Sequence, residues 1–128
     1  MENKITDQNN GNELMQMALN TLDKYYKAMN TNDLEGTLDM IHSSSPSQLP
    51  SRQILGELMS VYKLNNELLE SKYIGHDHDY LYLRIKQKTI KMEGPDFQNN
   101  ISDSIFAMKK DSGIWKVWSV MSMDTNVL

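Results

Sequence analysis

Apolar and polar residues alternate along this chain with two different periods, and the period changes once. Over residues 12–30 the apolar positions recur as on one face of a helix: Met15, Leu19, Leu22, Tyr26 and Met29, with Ala18 and Tyr25 widening the stripe. The turn Asn30-Thr31-Asn32-Asp33 follows, in which Asn32 or Thr31 can accept backbone N–H bonds as a cap, and Asp33 and Glu35 suit the positive end of the next helix. A short second helix carries Leu34, Leu38 and Ile41 on one side and ends near His42. Residues 42–51 hold two of the three prolines and predict a loop. Ser51 then predicts the cap of a third helix bearing Ile54, Leu55, Leu58, Val61 and Tyr62.

After Asn65 the period drops to two. Residues 67–74, 80–92, 99–110 and 114–123 predict strands, separated by GHDHD, EGPDFQ and a tight DSG hairpin in which Gly113 suits a positive φ. In the second strand Leu81, Leu83 and Ile85 share a face, whereas Ile90 and Met92 have the opposite parity. That switch predicts a β-bulge near residues 86–88 and a strongly bent sheet. Three helices followed by a bent antiparallel sheet define an α+β domain.

Pairing the last hairpin across Asp111-Ser112-Gly113 sets Lys110 opposite Ile114. Ala107, Ile105, Asp103 and Ile101 then lie beside Val117, Ser119, Met121 and Met123 on one face. Phe106 falls opposite Trp118 on the other, near Met108 and Val120. That much apolar surface predicts a cover. The helices cover one side only, so a homodimer through Phe106, Met108, Trp118 and Val120 is expected.

Bulk properties narrow the function more than they define it. At 128 residues the chain fits one domain, residues 12–128, behind a polar and disordered lead-in, residues 1–11. It has no cysteine, which excludes disulfides and thiolate chemistry. The net charge of −4 and scattered lysines argue against nucleic acid as a partner. No apolar run reaches the ~20 residues of a membrane span, and the polar start lacks a secretory signal, so a cytoplasmic location without a membrane partner is expected. Ten methionines suit either irregular core packing or a deformable pocket.

Three pieces together resemble the nuclear transport factor 2 superfamily in its SnoaL-like branch. They are YYKAMNTNDLEGTLDMI, the long strand pair after the third helix, and the closing hairpin KKDSGIWKV. The resemblance implies a cystatin-like cone, with three helices on the concave face of the sheet and a pocket between. It implies a lining of Tyr25 or Tyr26, Met29, Leu58, Tyr62, Asp103, Ile105, Ser119, Met121 and Met123. It also implies two catalytic candidates. Tyr25 lies eight residues before Asp33, like the oxyanion-donating tyrosine of ketosteroid isomerases. Asp103, among apolar neighbours on the presumed interior face, is placed to act as acid, base or neutral donor.

Other proton-transfer groups of these enzymes are missing. Leu49 stands near the place of the isomerase general base, and Ser119 where many SnoaL-like enzymes carry histidine. His76 and His78, in GHDHDY, predict a solvated turn rather than a metal site, and His42 predicts a helix terminus satisfied by its ring. No glycine cluster or nucleophile elbow is present, so neither a cofactor nor a metal is expected. The leading expectation is therefore a domain that binds a small apolar organic ligand. An isomerase, dehydratase or cyclase using Tyr25 and Asp103 is the first alternative. A non-catalytic, dimerising adaptor is the second.

Overall fold

The computed structural model describes residues 4–128, with side chains from residue 10 onward, so residues 1–3 of the expected lead-in lie outside the described residues, whereas its residues 4–11 belong to the first helix. Helix α1 (Lys4–Asn30) is followed by α2 (Leu34–Asp39) and α3 (Gln48–Val61). Four strands follow: β1 (Lys63–His76), β2 (Tyr80–Glu93), β3 (Asn100–Asp111) and β4 (Ile114–Val127). They pair as an antiparallel meander in the order β1-β2-β3-β4. The α+β architecture of three helices and a bent sheet is the one expected. No helix among the described residues is long and apolar enough to cross a membrane.

The helical stripe of α1 becomes the core. Ala18, Leu22 and Tyr26 are buried against Leu81, Leu83 and Ile85 of β2, Phe106 and Met108 of β3, and Trp115 and Val117 of β4. Helix α1 approaches β1 so closely at Gly11 that an added Cβ would sit within 2.4 Å of the Tyr73 ring. A larger residue there would require the Tyr73 ring to move. Asp33, rather than Thr31 or Asn32, caps α2 by accepting the Gly36 N–H at 2.9 Å.

Helix α3 starts three residues before Ser51. Pro50 falls in its first turn, where the missing N–H has no helical acceptor to lose. None of its residues is buried. It packs on α2 and stands away from the sheet, fastened at its two ends. Gln48 donates from Nε2 to the carbonyls of Leu38 and Ile41 (3.0 and 2.9 Å), and Asn32 donates from Nδ2 to those of Met59 and Tyr62 (both 3.1 Å).

The sheet departs from expectation in register. Ser112 (φ 53) and Gly113 (φ 84) form a two-residue hairpin, so Asp111 faces Ile114 and Lys110 faces Trp115. Met108 pairs with Val117 but Ala107 with Ser119, which leaves Trp118 as an extra residue in β4. A second shift falls between Asp103 and Ser104, and two more interrupt β1 at Leu69 and Ile74. The β2–β3 pairing runs without a break. The bulge expected near residues 86–88 falls there in the β1–β2 pair, with its extra residue on β1: Leu68 pairs with Gln87 and Glu70 with Lys86. Within β2 itself the parity is kept: Gln87 and Thr89 continue the inner row of Leu81, Leu83 and Ile85 as polar residues, and Ile90 lies on the outer face.

Each bulge turns the following side chains over. Trp115 and Val117 point inward, and beyond Trp118 the inward positions become Val120 and Ser122. Met121 and Met123, expected inside, are 56 % and 52 % exposed. On β3 the inner row is Ser102, Ser104, Phe106 and Met108, so Ile105 and Asp103 face out with Ser119. Phe106 and Met108, 3 % and 0 % exposed, belong to the core and cannot form an intersubunit contact.

Candidate functional site

Because α3 stands off the sheet, a cavity of about 290 Å³ opens beneath it. One wall is apolar: Met29 of α1, Leu55, Leu58 and Met59 of α3, Tyr62, Leu64 and Phe97. Tyr62 and Phe97 meet edge to face at 5.5 Å, and the Tyr62 phenol donates to the Asp96 carbonyl at 3.1 Å. The other wall is the polar end of the inner sheet face, where Asn66, Gln87, Thr89, Asn100 and Ser102 lie.

These polar side chains are held by one another. The Tyr26 phenol donates to Gln87 Oε1 at 2.8 Å, and Gln87 Nε2 donates to Asn66 Oδ1 (3.1 Å) and Thr89 Oγ1 (3.0 Å). Thr89 donates onward to Asn66 Oδ1 at 3.0 Å. Asn30, at the end of α1, accepts the Asn66 N–H at 2.7 Å and donates to the Asn66 carbonyl at 3.0 Å. Burial raises the Tyr26 hydroxyl above its ordinary range, so it stays a donor. The lining holds no carboxylate, lysine, arginine or histidine.

Of the residues expected in the pocket, Met29, Leu58 and Tyr62 line this cavity and Tyr26 supports its polar wall. Ile105, Ser119, Met121 and Met123 are on the far side of the sheet. Tyr25 lies on the inner side, edge to face with Phe106 at 6.4 Å, and burial pushes its pKa up to about 12. Asp103 lies on the outer side, where Arg84 donates to both its oxygens at 2.9 Å and holds its carboxyl below the usual range. Tyr25 and Asp103 therefore do not converge on one substrate atom. Val120 is on the inner face, half exposed. Trp118 is half-buried against His42, Tyr80 and the Lys109 ammonium.

His42 was expected to satisfy the end of α2, but that helix ends at Asp39, Gln48 serves the carbonyls of Leu38 and Ile41, and the His42 ring bonds the following loop and β3 instead. His42 Nδ1 accepts the Ser44 N–H and Nε2 meets the Lys110 carbonyl, each at 3.0 Å. In GHDHDY, Asp77 Oδ1 accepts the backbone N–H groups of Asp79 and Tyr80, which fixes a turn. Sequence reasoning missed Leu55, Met59, Asn66, Phe97, Asn100 and the inward direction of Gln87 and Thr89. The last two were signalled: they share the parity of Leu81.

The profile of the anti-sigma-I factor RsgI9 C-terminal domain matches residues 20–128, which takes in all four strands, α2, α3 and most of α1. The chain belongs to that family. The RsgI9 C-terminal domain family was not foreseen from residue patterns, which pointed to the fold instead. No curated protein sequence matches the chain. A proposed aromatic ring hydroxylase of Novosphingobium aromaticivorans is similar in structure, with a TM-score of 0.73 and 14 % identity over 99 % of this chain and 96 % of that one. A proposed scytalone dehydratase of the same organism has a TM-score of 0.73 and 11 % identity over 92 % and 90 %. A Nostoc punctiforme protein of unknown function with a cystatin-like fold has a TM-score of 0.64 and 11 % identity over 81 % and 85 %. At these identities the likeness concerns the fold. This RsgI9 C-terminal domain thus shares its fold with these three proteins, one of them described as cystatin-like.

Proposed function

We propose that this RsgI9-type C-terminal domain is a binding module that holds a small uncharged organic molecule under α3 without converting it. One observation carries the reading. The cavity opposes a wall of leucine, methionine and aromatic side chains to a wall of amides and hydroxyls, and its lining holds no carboxylate, lysine, arginine or histidine. Apolar pockets with a few fixed polar groups bind organic ligands. Proton transfer needs an acid or base tuned near the working pH, and the cavity offers neither. The dehydratase and hydroxylase names among the structural relatives supply a shared scaffold, not a shared site.

A thermal-shift screen with a hydrophobic metabolite library tests the reading, run on the chain and on Leu58→Trp, which fills the cavity from the α3 side. A ligand at a hundredfold excess over its Kd stabilises by about 2.7 kcal/mol. The expected result is a compound that raises Tm by several degrees in the parent and by less than half as much in the variant. No stabilising compound, or equal shifts in both proteins, would count against it. We further propose that two copies associate through the outer sheet face, where Tyr82, Ile105 and Met121 flank the Arg84–Asp103 pair.

A further inference from the structure

A second chamber of about 410 Å³ adjoins the first and shares Met29, Gln87 and Ser102 with it as walls. Its floor is apolar, formed by Ile41, Phe106 and Val117. Hydroxyls stand around that floor: Tyr25 from α1, Ser51 from α3, Ser102 and Ser104 from β3, and Ser122 from β4. None of these hydroxyls bonds to another described residue. The contrast with the first chamber is direct, since there Gln87, Thr89 and Asn66 satisfy one another.

Ser104 is buried, Tyr25, Ser51 and Ser102 are half-buried and Ser122 is exposed, so water on these hydroxyls gives way to a ligand that supplies equivalent bonds. A hydroxyl both donates and accepts, so a row of them matches ligand hydroxyls in either sense. None of them carries charge to offset that of an ion, so a charged ligand would lose its hydration without return. The edge-to-face pair of Tyr25 and Phe106, with Met29 beside it, presents ring and thioether surface to a flat ligand.

We infer that the joined chambers select an uncharged, polyhydroxylated aromatic compound, its ring against Phe106 and Met29 and its hydroxyls shared with Tyr25, Ser102, Ser104 and Ser122. The inference rests on the ligand-binding reading above. Tyr25 remains a hydrogen-bond donor throughout the neutral range, because its pKa stands at about 12.

Isothermal titration of the full chain with (+)-catechin, and with flavan, the same ring skeleton without hydroxyls, provides the test. Catechin is expected to bind about tenfold or more tightly than flavan, since a site built for hydroxyls rejects an analogue that lacks them. Ser104→Val combined with Ser122→Val is expected to bring the ratio near one while flavan affinity stays within about twofold. If that pair does not fold, Ser104→Ala with Ser122→Ala makes the same comparison. Flavan bound as well as catechin, or a ratio untouched by the paired substitution, overturns the hydroxyl assignment and leaves the ligand-binding reading standing. Binding of neither compound also overturns the inference. The broader reading falls with it only if the metabolite library yields nothing as well.

Discussion

Arg84 grips Asp103 through two N–H···O bonds on the outer face, at the centre of a patch that also holds Glu70, Lys72 and Lys86. The carboxylate is thereby an ion-pair partner, and its proton affinity follows from that. Because its folded pKa is lowered, first by the Arg84 hydrogen bonds, the pairing contributes stability above the ordinary carboxylate pKa. That contribution is lost as pH falls through the lowered value. Asp77 and Asp111 are lowered in the same direction by backbone N–H donors. Tm is therefore expected to fall on acidification below about pH 4, and Asp103→Asn is expected to flatten part of that fall. Equal pH profiles for the two proteins would refute the assignment. Sequence reasoning placed Asp103 inside with Tyr25, because strict alternation from the hairpin had no way to register an inserted residue.

Helix α3 is held at its ends rather than by burial, and Asn32 is one of the two fasteners. Its backbone sits at φ 54, a region costly for residues with a Cβ, though asparagine tolerates it better than most. Asn32→Ala removes both bonds to the end of α3 and keeps the conformational cost, so a loss of about 1–2 kcal/mol is expected. Asn32→Gly should lose less, because it relieves the backbone. In both variants, amide exchange should rise selectively in α3 as it loosens over the cavity; a uniform rise across the sheet would contradict end-fastening. The helices were legible from their spacing, and so was the wall formed by Met29, Leu58 and Tyr62. A bulge beside residues 86–88 was legible too, but not which strand holds each extra residue, because nothing in the letters of β1 or β4 marks Leu69, Ile74 or Trp118. Only the partner strand decides that. The serine-rimmed chamber was missed for the same reason, since its β3 and β4 members sit at parities assigned to the outer face.

For the molecule as a whole, the two sheet faces divide the work. The inner face carries the core at one end and the chambers at the other. The outer face mixes paired charges with Tyr82, Ile105 and the exposed Met121, a combination of both signs that a twofold contact can satisfy with itself. Light scattering is expected to give twice the chain mass for the parent and the single mass for Met121→Asp combined with Ile105→Asp; a parent of single mass rules out the association. Each edge strand is bridged at one residue: Met40 and His42 bond both backbone groups of Val117 on β4, and the Asn30 side chain bonds both backbone groups of Asn66 on β1. The single surplus residue in β4 has a wider implication. A related chain that lacks it would carry the same letters downstream with their directions reversed, so methionines that look outward here would look inward there. Equivalent positions among relatives must therefore be counted from the last partner before Trp118 on one side and the first after it on the other. Ruler-like numbering from Gly113 would match lining residues with surface ones.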